Sequence, residues 1–109
     1  MSSPGNLLRV WRAVASSAGL ARYLTHFEQA VMPELRATAG FLQAGILARD
    51  AAEGGIELVV TTGWKSLESV RAFAGEDPDR AVVHPDARAA LLGCDERVLH
   101  YHWIRAFHR

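Results

Sequence analysis

Residues 41–64 constrain this chain more than any other stretch. Segments 41–50 and 56–64 are both strand-length runs rich in apolar residues, and a short link ending in Gly54-Gly55 separates them. Glycine supplies the backbone conformations a tight reversal demands, so two such runs joined this closely form an antiparallel hairpin. Side chains alternate across a strand, which puts Ile56, Leu58, Val60, Thr62 and Trp64 together on one face. The rest of the chain must pair with this hairpin or pack on it.

The flanking segments supply one strand and one main helix on each side. Residues 7–15, with Val10, Trp11 and Val14, form a first strand. Ser16 and Ser17 offer a helix N-cap, since a hydroxyl there accepts from the first free amides. Leu20, Leu24, Phe27, Val31 and Leu35 then recur at spacings of three and four, with Tyr23 alongside, which is the stripe of an amphipathic helix. Pro33 has no N–H, so it predicts a kink or a restart at Glu34. Beyond the hairpin, Ser66 caps a second helix with Leu67, Val70, Phe73 and Ala74 inward, and 77–85 is irregular between Pro78 and Pro85. One or two helical turns follow over 86–92, and a last strand over 98–104. The order β-α-β-β-α-β predicts an α+β, ferredoxin-like fold: a four-stranded antiparallel sheet with both helices on one face. The 109 residues make one domain, 1–109, with 1–6 and 105–109 as tails.

A sheet covered on one face only should alternate to polar residues on the other. Here Leu99, Tyr101 and Trp103 oppose Val98 and Ile104, and Val59 opposes Leu58 and Val60. Half of all residues are hydrophobic, so apolar surface is left over for a partner. The expectation is a homodimer closed sheet against sheet about a two-fold axis.

Composition excludes several partners. Acidic and basic residues balance at 12 each, with no basic stripe for nucleic acid and no polybasic run for anionic membrane. No segment reaches the roughly 20 apolar residues of a membrane span, and residues 1–6 lack a secretory leader, so the cytoplasm is expected. Cys94 is the lone cysteine, which rules out a disulfide framework or a cysteine metal cluster. No phosphate loop, nucleophile elbow, flavin or nicotinamide fingerprint is present, so no cofactor is expected.

The segments Gly63-Trp64-Lys65-Ser66-Leu67-Glu68 and Ala72-Phe73-Ala74-Gly75, the strand Val98-Leu99-His100-Tyr101, and the pairs Pro33-Glu34 and Gly40-Phe41 carry a resemblance. Together they resemble the antibiotic biosynthesis monooxygenases, from about Leu7 to Ile104. The resemblance implies a dimeric α+β barrel with a pocket between sheet and helices. It also implies a cofactor-independent monooxygenase that oxidises an aromatic phenol or quinol with O2. A non-catalytic small-molecule binder or stress-related accessory protein on the same fold is the alternative. A haem-degrading enzyme is a third reading: His84 follows Trp64 at about the spacing of the haem-ligating histidine. The pattern departs at Phe73 and Ala74, where that branch has a Trp, and near Arg12, where it has an Asn.

Such chemistry needs an apolar pocket, a base that titrates near neutrality and a donor for the developing anion. His100, mid-strand between apolar neighbours, and His84, in the proline-flanked loop, are the candidate bases. Trp64, Phe27 and Phe73 are candidate walls for an apolar or aromatic ligand, Tyr23 a hydroxyl donor, and Arg12 a countercharge. Each also has a plain structural reading as core packing or a surface ion pair. Trp11 and Trp103 are expected at the sheet or dimer interface, His102 at that interface, and His26 in solvent off the helix stripe. His100 and His102 share a strand face, but no third ligand completes a metal site.

Overall fold

A computed structural model describes residues 6–109; the expected tail at 1–5 lies outside them. The strands are β1 (Leu7–Ala15), β2 (Phe41–Asp50), β3 (Ile56–Trp64), β4 (Gly93–Cys94) and β5 (Leu99–His102). All pairings are antiparallel, in the order β2-β3-β1, with β4 and β5 sharing the remaining edge of β1. The hairpin closes as its glycines require: Gly54 and Gly55 adopt φ of 93° and 82°, and Ala51 N donates to Gly55 O at 3.0 Å.

The fourth position of the sheet differs from the single strand expected over 98–104. β5 pairs with residues 7–10, while β4 pairs with Ala13 and Val14. Val98 N is drawn off the edge to Asp79 O at 2.8 Å, which shortens the strand. Gly93 and Cys94 carry no β-forming signal. They are held instead by bonds on either side, Leu92 N to Val14 O at 2.8 Å and Asp95 N to Arg12 O at 2.9 Å.

The helices are α1 (Ser17–His26), α2 (Met32–Ala37), α3 (Leu67–Ala74) and α4 (Pro85–Ala90). Ser16 caps α1 by accepting from Gly19 N at 3.0 Å, and Ser66 caps α3 by accepting from Ser69 N at 3.2 Å. α1 runs into α2 through a wide π-helical turn at Phe27–Val31. Pro33 falls in the first turn of α2, where no N–H is needed, so the predicted disruption is absorbed by the turn before it. Gly19 lets α1 approach α4: a Cβ there would collide with the Ala90 carbonyl. That close contact sets where α4, and the His84 that precedes it, meet α1.

Leu7, Ala13, Leu58, Val60 and Trp64 from the sheet pack on Tyr23, Phe27, Leu35 and Val70 from the helices. Full burial of each larger side chain contributes roughly 1.5–3 kcal/mol. The register Trp11↔Val60 and Arg9↔Thr62 places odd residues of β1 and even residues of β3 on this helix-covered face. The opposite face carries Leu47, Leu99 and Tyr101, each more than half exposed in the single chain.

Candidate functional site

A small cavity of about 60 Å³ lies between the helix-covered face and the helices. Trp11, Val60 and Thr62 form its floor, Tyr23, His26 and Phe27 one wall, and Phe73 with residues 82–84 the other. A void of about 150 Å³ holds a benzene ring, so a ring enters here only if a wall moves. Phe73, Val82, Val83 and His84 also border an adjoining open cleft of about 400 Å³, lined by Arg80, Arg88 and Glu96. Phe73 and the 82–84 wall therefore stand between an apolar interior and a polar vestibule.

One polar pole of the cavity is Arg9, a buried cation with no carboxylate in contact. Its Nη1 donates to Pro78 O and, at 3.2 Å, to His100 Nε2; its Nη2 donates to Arg80 O at 2.8 Å. Burial lowers its pKa to about 10, with the charge of Asp79 acting the other way, so it stays cationic at neutral pH. A guanidinium can only donate, so His100 Nε2 must be the acceptor and Nδ1 carries the proton. Nδ1 donates in turn to Asp79 Oδ1 at 2.9 Å. Desolvation holds His100 below the ordinary imidazole pKa; its bond to Asp79 acts against this and the Arg9 charge adds to it. His100 is thus a neutral imidazole with both nitrogens engaged.

The other pole is a pair of imidazoles. His26 and His84 meet edge to face with ring centres 5.5 Å apart. The Nε2 atom of each is closed off from solvent and makes no hydrogen bond. Glu34 Oε2 stands 3.5 Å from His84 Nε2, near enough for charge attraction but not a hydrogen bond.

Among the residues singled out by sequence, His84, Tyr23, Phe27 and Phe73 line the cavity. His100 stands behind Arg9 rather than at the wall. Trp64 is fully buried just outside the lining; its Nε1 donates to Thr62 Oγ1 at 2.8 Å, and its ring lies 5.7 Å from Phe73. It supports two lining residues without being one. The ring of Tyr23 sits 6.0 Å from Trp11, and burial raises the Tyr23 pKa well above the ordinary phenol value, so the hydroxyl keeps its proton.

Two expectations are corrected, and a third residue gains a role. Arg12 is exposed on the opposite sheet face beside Cys94 and Asp95, because strand alternation gives the cavity to Arg9 and Trp11. Trp11, a sheet residue as expected, lines the cavity, its Nε1 donating to Asp95 O at 2.7 Å. His26 packs into the cavity wall instead of facing solvent. The signals existed: Arg9 and Trp11 share parity with Leu7 and Ala13, and His26 follows Tyr23 by three residues. Among the described residues, no group of three or more His, Cys, Asp or Glu could hold a metal ion. No helix there is long and apolar enough to cross a membrane.

No protein-family profile and no curated protein sequence matches the chain. Solved structures do. SnoaB from Streptomyces nogalater, a cofactor-independent oxygenase solved as a single-residue variant, is 14% identical with a TM-score of 0.65 over 93% of this chain and 95% of that one. A Bacillus cereus protein described as an antibiotic biosynthesis monooxygenase is 13% identical, with a TM-score of 0.64 over 96% and 99%. The monooxygenase from the Streptomyces coelicolor gene ActVA-Orf6, solved with the ligand nanaomycin D, is 19% identical with a TM-score of 0.61 over 97% and 93%. The α+β fold is the one these proteins share.

Proposed function

We propose that this chain, which has the fold of the antibiotic biosynthesis monooxygenases, is a cofactor-independent monooxygenase acting on a phenol- or quinol-type aromatic with O2. The carrying observation is one largely apolar cavity whose lining includes a buried cation and a pair of imidazoles. In this reading His84 accepts the phenolic proton and Arg9 stabilises the anion that forms. His100 and Asp79 hold Arg9 in place. Tyr23, Phe27 and Phe73 flank the ring, and Trp64 backs Phe73 and Thr62.

The substrate supplies the electrons. The anion passes one electron to O2, and the radical pair joins as a carbon–oxygen bond, giving a hydroperoxide once protonated. Loss of water from the hydroperoxide leaves a quinone carbonyl. Phenol plus O2 thus becomes quinone plus one water, with one oxygen atom in each product.

Oxygen uptake is the test. Purified protein with a panel of hydroquinones and naphthols should consume one O2 per quinone formed, with no added flavin, nicotinamide or metal. His84→Ala should cut the rate by about 10²–10⁴-fold, the range for losing a general base. Saturable binding with no uptake across the panel would sink the oxygenase reading. It would leave the non-catalytic binder.

The apolar open face of the sheet, with Leu47, Leu99 and Tyr101, supports a homodimer through that face. Sedimentation should give twice the chain mass for the native protein and the chain mass for Leu99→Arg. A monomeric native protein would remove the proposal.

A further inference from the structure

We propose that His26 and His84 form a hydroxyl-recognition site, in which their two Nε2 atoms take one oxygen of a single-ring phenolic ligand. The inference rests on reading the cavity as a ligand site and deepens it, naming the atoms that select the ligand and the class they select.

Each Nε2 is buried and without a hydrogen-bond partner. A buried polar atom left unpaired costs about 1–3 kcal/mol, so a pair of them in one small wall calls for a third party. A neutral imidazole has one donor nitrogen and one acceptor nitrogen, and the tautomer decides which is which. Two free Nε2 atoms can therefore present one N–H and one lone pair. A hydroxyl is the complement, because its oxygen accepts while its proton is donated. An ether oxygen only accepts and leaves one of the nitrogens unmet. The two rings stand edge to face with centres 5.5 Å apart, so both imidazoles belong to one small patch of the wall. Glu34, on the solvent side of His84, does not take that place.

The rest of the lining argues for an aromatic body on that hydroxyl. Outside its polar members, the lining includes Phe27, Val31, Leu35, Val60, Phe73 and Val98, an apolar surface that suits a ring. Volume sets the size. The cavity of about 60 Å³ must take in part of the adjoining cleft of about 400 Å³ before one ring fits, and residues 82–84 are the shared wall. Outward movement of that short segment admits one ring. Fused ring systems require the helices themselves to part.

The test uses a matched pair of probes, p-cresol and its methyl ether, titrated into the intact protein. Binding is followed by tryptophan fluorescence and by the imidazole ¹⁵N resonances. Cresol should bind at least about tenfold more tightly than the ether, as expected when a site built for a hydroxyl meets an analogue lacking it. The Nε2 resonances of His26 and His84 should shift with cresol only. In His26→Leu and in His84→Leu the preference should fall to about threefold or less, with affinity for the ether retained. Equal affinities, no binding of either probe, or a preference surviving in both variants would each overturn the site. The native resonance shifts decide the matter even if a variant fails to fold. Cresol preference without oxygen uptake from any phenol keeps this site and removes the oxygenase reading. Uptake without the preference does the reverse.

Discussion

Two imidazole sites, one behind Arg9 and one in the wall of the cavity, are built in opposite ways. His100 has both nitrogens engaged, one by Arg9 and one by Asp79, and the arginine it meets is further pinned by two backbone carbonyls. His26 and His84 each bury an Nε2 atom that makes no hydrogen bond, with only the Glu34 carboxylate 3.5 Å from His84 Nε2. A saturated network rigidifies and positions, whereas an unsaturated one carries a cost that a ligand can remove. Arg9 and His100 are therefore read as structure that aims a charge, and His26 and His84 as structure that waits for an oxygen. The contrast can be broken from either side.

The largest effect belongs to Arg9. Arg9→Leu strips the partners from Pro78 O, Arg80 O and His100 Nε2 at once. Leaving two or three buried acceptors unmet should cost about 2–4 kcal/mol, because each keeps its desolvation penalty without a bond. In a domain of this length that lowers Tm by roughly 10–25 °C, read by thermal denaturation at neutral pH. A loss under about 0.5 kcal/mol would mean that water reaches those carbonyls and the network is not saturated.

How far this was legible from the sequence divides along the same line. β1, β2 and β3 fall where their residue patterns put them, since alternation and a Gly-Gly turn are local signals. β4 was not legible: Gly93-Cys94 becomes a strand only because its neighbours bond across to β1. Likewise Arg9 has nothing in its local sequence to mark it as a buried cation. Its carbonyl partners at residues 78 and 80 are about seventy positions away, in a loop with no secondary-structure signal. Arg12 has the wrong parity for the cavity, since alternation from Leu7 gives that face to Arg9. His26 lies off the apolar stripe, yet it packs into the cavity wall against the His84 ring, a contact made through the distant 82–84 segment.

A middle-sized effect, and a pH signature, belongs to His100. Desolvation depresses its folded-state pKa below the unfolded value near 6.5. Between those two values the unfolded chain binds the proton and the folded one does not, so stability rises with pH in that window. The contribution is fully present above about pH 6.5, is lost as pH falls toward the folded pKa, and is flat below it. His100→Gln keeps a polar group beside Arg9 but cannot titrate. It should cost about 1 kcal/mol at pH 7.5 and flatten the stability curve between pH 7 and 5. An unchanged slope would show that His100 is protonated as readily in the folded chain, and so is not locked to Arg9.

The smallest effect is the most discriminating, because its sign is opposite. If His26 buries an Nε2 that meets nothing, His26→Leu removes a desolvation penalty and nothing is lost with it. Leu is close in volume, so overpacking is slight. Replacing an unsatisfied polar group by an apolar one of similar shape is neutral or stabilising. The expected change in urea-unfolding free energy is between zero and about +1 kcal/mol, against the clear loss at Arg9. Should His26→Leu instead destabilise by more than about 1 kcal/mol, its nitrogen has a partner in solution, such as a resident water. The two imidazole sites would then be alike, and the case for a ligand oxygen between His26 and His84 would rest on cresol binding alone.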